Sequence, residues 1–170
     1  MFWYTGLPLV MAAVAVVMDL RTAQVDNGWI LVCMGTGLSA RILKDGAAGI
    51  ADYLAGFVLP ILLLGWLFAF RMLGPGDIKL LAVLGGMLGR TASLQCVFCS
   101  MLLGAALSAA LLLADGNAMQ RFAYLWEYLC AYAATRERRP YYQRGMAAPE
   151  NFHFTVPVFL SVLLYTGGVY

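Results

Sequence analysis

The sequence predicts an all-α membrane protein, a single domain over residues 1–170 built as a bundle of six transmembrane helices with both termini outside. Three observations carry that prediction. Hydrophobic residues make up 62% of the chain and charged residues only 12%, against about a quarter in soluble domains. The apolar residues fall in runs joined by short polar connections, several of them able to cross ~30 Å of hydrocarbon. The basic residues are shared unevenly. With the N-terminus outside, eight of the eleven (Arg21, Arg71, Lys79, Arg121, Arg136, Arg138, Arg139 and Arg144) face the cytoplasm. Arg41, Lys44 and Arg90 face outward, a division that follows the positive-inside rule. A net charge of +2 gives no support for nucleic-acid binding.

The first run, residues 2–18, sets Trp3 and Tyr4 at its outer interface. No Lys or Arg precedes it and further spans follow, so it reads as a retained helix and not a secretory signal. Residues 19–27 form a polar connection, and a second run covers 28–42. Arg41 to Asp45 reads as a charged turn. The third run, 46–70, carries Asp52 and ends at Arg71. The fourth, 78–89, is short for a span, and its Gly85 and Gly89 offer a GxxxG face for close helix contact. A re-entrant fourth run would turn the arginines of 136–144 outward, against the charge rule.

The fifth run covers 91–114 and the last 152–170. Between them, 115–151 reads as a cytoplasmic loop. Within it Phe122, Leu125, Trp126, Leu129, Tyr132 and Ala133 recur at three- and four-residue steps. That pattern suits an amphipathic helix lying on anionic headgroups, or equally a solvated loop.

One heptapeptide departs from what a simple anchor needs: Leu73-Gly74-Pro75-Gly76-Asp77-Ile78-Lys79, between long apolar runs. Gly74 and Gly76 permit backbone conformations closed to other residues, and Pro75 fixes one dihedral and removes an N–H. A carboxylate at membrane depth is costly and points to function. The plain reading is that Asp77 N-caps the following helix. Topology favours more. Asp19, at the cytoplasmic end of the first helix, is level with Asp77, whereas Asp45 and Asp52 fall on the opposite side. Asp26 shares the side of Asp19 but is less embedded.

Two carboxyl groups brought together cannot both ionise cheaply, so the pair shares a proton and provides a general base and a general acid. Aspartic proteases divide the work this way. Asp77, at a helix N-terminus, is expected to be the more ionised partner. Arg21 and Lys79 read as topology anchors whose stems snorkel to the headgroups, and Lys79 would also bias the charge of Asp77. His153, beside Asn151, reads as an interfacial or helix-start residue, since no serine or cysteine nucleophile is paired with it. Of the four cysteines (Cys33, Cys96, Cys99, Cys130), Cys96 and Cys99 form a CxxC inside a span and read as packing residues. No ligand cluster for a metal is evident, and the chemistry requires neither metal nor cofactor.

These residues resemble a known family. Asp19-Leu20-Arg21 followed by Val25 and Asn27 resembles the first-aspartate signature of type IV prepilin peptidases, Asp-x-Arg then Ile-Pro-Asn. Gly74-Pro75-Gly76-Asp77-Ile78-Lys79 resembles the second, GxGDxK, and continues as Leu80-Leu81-Ala82-Val83-Leu84-Gly85. The resemblance covers residues 1–114. It implies an aspartic endopeptidase of the bacterial cytoplasmic (inner) membrane whose active site faces the cytoplasm. Its catalytic residues would be Asp19 and Asp77, supported by Gly74, Gly76, Lys79, Arg21 and Asn27. The implied substrate is a prepilin or pseudopilin, whose polar leader is cut from an apolar helix held in the bilayer.

Asp26 stands where that family usually has proline, which makes it a rival to Asp19. The N-terminal extension and paired CxxC motifs of the methylating members are missing. The chain thus resembles the small, peptidase-only branch of the tight-adherence (Flp) pilus type. Presenilin-type proteases share GxGD, but their first aspartate follows tyrosine and a Pro-Ala-Leu motif comes later. Two other classes compete: a small proton-coupled transporter, which would also use intramembrane carboxylates, and a non-catalytic pilus-assembly subunit. Both aspartates at one face and no apparent inverted repeat weigh against the carrier. The oligomeric state is not encoded in any motif.

Overall fold

The structure, a computed structural model, describes residues 2–70, 73–114, a few positions between 123 and 132, and 153–170. Five helices and no strand occur among them: α1 (Phe2–Thr22), α2 (Asn27–Ala69), α3 (Pro75–Leu88), α4 (Arg90–Ala114) and α5 (Thr155–Thr166). The amphipathic helix expected near 122–133 lies largely outside the described residues. Within it, Trp126 and Glu127 are helical and exposed.

The predicted second and third runs are both limbs of α2. Arg41 to Asp45, expected to be a turn, is helical, and the chain reverses one residue later at Gly46, where φ is +59° and ψ is −136°. Only glycine adopts that conformation at little cost. Behind the reversal the limbs lie side by side. The Tyr53 hydroxyl donates to the Met34 carbonyl at 3.3 Å, and Gly49 is pressed against the Arg41 carbonyl. The charge of Arg41 did not force a loop because its partners lie in the bundle. Its guanidinium meets Asp45 at 3.3 Å and Asp52 at 3.2 Å, and its Nε donates to the Met87 carbonyl at 3.0 Å.

The short fourth run is the centre of the fold. Along α3, Leu80, Leu81, Ala82, Val83 and Leu84 are all buried, packed by α1, α2 and α4. A 14-residue helix is short for a bilayer, but here it is wrapped in protein on nearly every side. Half of the predicted GxxxG face works as expected. Gly85 packs backbone to backbone on Gly56 of α2, and Ser93 of α4 donates to the Gly56 carbonyl at 2.9 Å. Gly89 does something else. It ends α3 with φ +86° and ψ 168°, so that α4 starts at once.

The last helix is shorter than its apolar run and wedges between α1 and α4. Cys96 is buried, and its carbonyl accepts from Ser161 of α5 at 3.0 Å. The outer surface carries large apolar side chains such as Leu31, Leu62, Phe98 and Leu113. Two helices, α2 and α4, are long and apolar enough to cross a membrane.

Candidate active site

Asp19 belongs to the last turn of α1 and not to the connection after it. The helix runs on to Thr22 and closes when Ala23, at φ +53°, donates its N–H to the Asp19 carbonyl at 2.8 Å. The carboxylate of Asp19 is buried. Its Oδ2 accepts from the Thr155 hydroxyl at 2.7 Å and lies 3.0 Å from His153 Nδ1. The single histidine therefore does more than start a helix at an interface. The sequence hid this because the partner of a carboxylate 134 residues upstream is chosen by packing, and no local spacing records it.

Asp77 is not the N-cap of α3. That position is Gly74, with φ −70° and ψ 149° and no side chain to cap with, and Pro75 follows in the first turn. This is the usual place for proline, whose missing N–H would have had no partner there. Asp77, three residues on from the cap, turns its carboxyl back toward Gly74, as the acidic member of a capping box does. Neither Gly74 nor Gly76 has a positive φ, so the backbone licence expected of them is not what the turn uses. What Gly74 supplies is room, since a Cβ there would lie 3.0 Å from Asp77 Oδ2.

Asp77 lies just ahead of the apolar run 78–89. Burial first, and the nearby Asp19 charge second, push its carboxyl up from 3.8 to about 6. The Gly74 N–H and His153 pull the other way and are outweighed. Asp77, expected to be the more ionised partner from its helix position, is instead shifted toward its protonated form. The helix-end field is smaller than the cost of charging a buried group beside another carboxylate.

The two sequence motifs also meet through their polar flanks. Lys79 Nζ donates to Asn27 Oδ1 at 2.9 Å, tying the start of α3 to the start of α2. Arg21 is exposed in the last turn of α1, where a cation suits the helix dipole. Asp26, the rival acid, is exposed and caps α2, its Oδ1 accepting from the Gly28 N–H at 3.2 Å. Asp45 and Asp52 lie with Arg41 around the distant α3–α4 corner. An apolar groove of about 320 Å³ lies between α2 and α3, lined by Ile30, Met34, Phe57, Ile61, Pro75, Ile78 and Lys79; neither Asp19 nor Asp77 is part of its lining. No group of three or more metal-ligating side chains occurs among the described residues. Chemically, the site offers one carboxyl held through Oδ2 by Thr155 and His153, near a second whose proton affinity is raised by burial and by the first.

Residues 7–109 match the family model described as the type IV leader peptidase family, which spans both aspartates and all of α2 and α3. No curated protein and no solved structure matches the chain.

Proposed function

This chain belongs to the type IV leader peptidase family, and from that premise we propose that it is an aspartic endopeptidase of the inner membrane. It removes the leader of a prepilin or pseudopilin at the cytoplasmic surface, with Asp19 and Asp77 as the catalytic pair. The observation that carries this reading is that the structure brings together two carboxyls 58 residues apart by numbering: Asp19, held through Oδ2 by Thr155 and His153, and Asp77 in the first turn of α3, near enough for the charge of Asp19 to raise its proton affinity.

In the reaction, the Asp19 carboxylate takes a proton from water as the water oxygen bonds to the scissile carbonyl carbon. Asp77 gives its proton to the amide nitrogen, the C–N bond breaks, and the new amine leaves. Asp19 then carries the proton and Asp77 the charge, so transfer of one proton between them resets the pair. No covalent intermediate forms. The apolar groove lined by Pro75 and Ile78, at the same end of α3 as Asp77, suits the first apolar residues of the substrate helix.

The test is co-expression of the chain with candidate pilin precursors, following leader removal by intact mass. Cleavage at the leader boundary supports the reading. Proton-coupled flux in proteoliposomes without cleavage would replace it with the carrier.

Two expectations follow from the geometry. Activity falls as pH rises through about 6, where Asp77 loses the proton it must donate, and a kcat/KM profile on a detergent-solubilised enzyme reads this. The same shift has a stability sign. The folded state binds this proton more tightly than an unfolded chain titrating at 3.8, so that contribution is full below 3.8 and is lost as pH rises through about 6. Second, Gly74→Ala sets a methyl 3.0 Å from Asp77 Oδ2 and displaces the acid. It is expected to lower kcat about tenfold with an unchanged thermal midpoint, as a small misplacement of a reacting group does.

A further inference from the structure

The start of α5 brings two polar groups to a single oxygen. Thr155 Oγ1 donates to Asp19 Oδ2 at 2.7 Å, and His153 Nδ1 stands 3.0 Å from the same atom. Thr155 is completely buried, so its hydroxyl has no water to turn to, and the carboxylate satisfies it. Asp19 Oδ1 has no hydrogen-bond partner among the described residues. Both groups lie beyond the stretch 7–109 that the family model matches.

We propose that His153 and Thr155 are positioning residues for Asp19: together they hold Oδ2 in one place and leave Oδ1 to take the proton from water. This rests on the peptidase reading. Donors to the charged form of a carboxylate favour that form, and a shared oxygen fixes the rotamer as well as the charge. The other charged groups around Asp19 do not offer the same service. From α3 come Asp77, a second carboxyl, and Lys79, which is turned to Asn27. At the start of α2, Asp26 is occupied with Gly28, and Arg21 on α1 itself is exposed. Among the described residues, only α5 and the turn before it bring such partners to Asp19.

The test uses the full-length enzyme in detergent micelles and the precursor it cleaves in co-expression. Thr155→Val keeps the shape and removes the donor. It is expected to lower kcat about thirtyfold with KM changed less than about threefold, and Thr155→Ser to recover most of that loss. His153→Phe is expected to lower kcat about tenfold. In both variants the limbs of the pH–rate profile move to higher pH, because the carboxylate has lost a donor. A merely structural role would reduce the yield of folded enzyme and move neither limb.

A second readout needs no turnover. His153 is the chain's only histidine, so a 15N-labelled imidazole reports one site. Its bonded N–H proton is expected well downfield, and upfield in Asp19→Asn. Unchanged kcat and pH limbs in Thr155→Val and His153→Phe overturn the proposal, as does an imidazole signal indifferent to Asp19→Asn. If the wild type removes no leader, the peptidase reading fails alone, and the imidazole signal decides whether His153 holds Asp19.

Discussion

Asp19→Asn and Asp77→Asn are each expected to abolish leader removal, with a loss of about a thousandfold or more, while folded yield stays near wild type. The two losses have different causes. Asn at 19 still accepts from Thr155 but cannot take a proton from water. Asn at 77 keeps a neutral amide in the space of the neutral acid but has no proton to release. The double variant is expected to be scarcely worse than either single one, because the pair acts as a unit. Asp26→Asn is the internal comparison. Asn caps a helix as well as Asp does, so α2 keeps its start and processing stays within about twofold of wild type. Intact-mass analysis of a co-expressed precursor reads all four. Full processing by either Asp19→Asn or Asp77→Asn would sink the dyad, and loss with Asp26→Asn would move the base to that loop.

The largest expected effect on stability lies at the other end of the bundle. Gly89→Ala asks a side chain to adopt φ +86° and ψ 168°, a region almost reserved for glycine. The new Cβ would also fall on the Arg41 guanidinium and the Asp52 carboxylate, where the two lie 3.2 Å apart. Backbone strain and a displaced, half-buried ion pair together are expected to cost about 3 kcal/mol. Denaturation in micelles measures this, with Gly65→Ala as the comparison, since a Cβ there meets nothing within 4 Å. Arg41→Lys is not a safe replacement. One ammonium cannot reach Asp45, Asp52 and the Met87 carbonyl in the plane that a guanidinium provides.

Much of this was legible in the sequence. Apolar runs located α1, both limbs of α2, α3 and α4, because each helix needs a continuous apolar surface whatever it packs against. Depth and charge singled out Asp19 and Asp77, and their motifs were visible as Asp-x-Arg and GxGDxK. Residues that act through tertiary contact were not legible. Arg41 looked like a loop residue because two of its partners, Asp52 and the Met87 carbonyl, cannot be assigned before the chain reverses at Gly46. His153 and Thr155 looked like the polar edge of an apolar run, and only the wedging of α5 against α1 makes them partners of Asp19. The ionisation of Asp77 was misjudged for a related reason. Its own heptapeptide displays the helix end, while the burial that dominates comes from α1, α2 and α4 around α3.

The entry of α5 between α1 and α4 also bears on how the protein comes to life. Asp19 leaves the ribosome early, Asp77 later, and Thr155 last of the three. A partly synthesised chain that has inserted its first four helices already contains both acids, yet Oδ2 of Asp19 has neither of its donors. On the proposed reading, full hydrolytic rate waits for α5 to dock, so the last gain in activity comes late in the assembly of the fold.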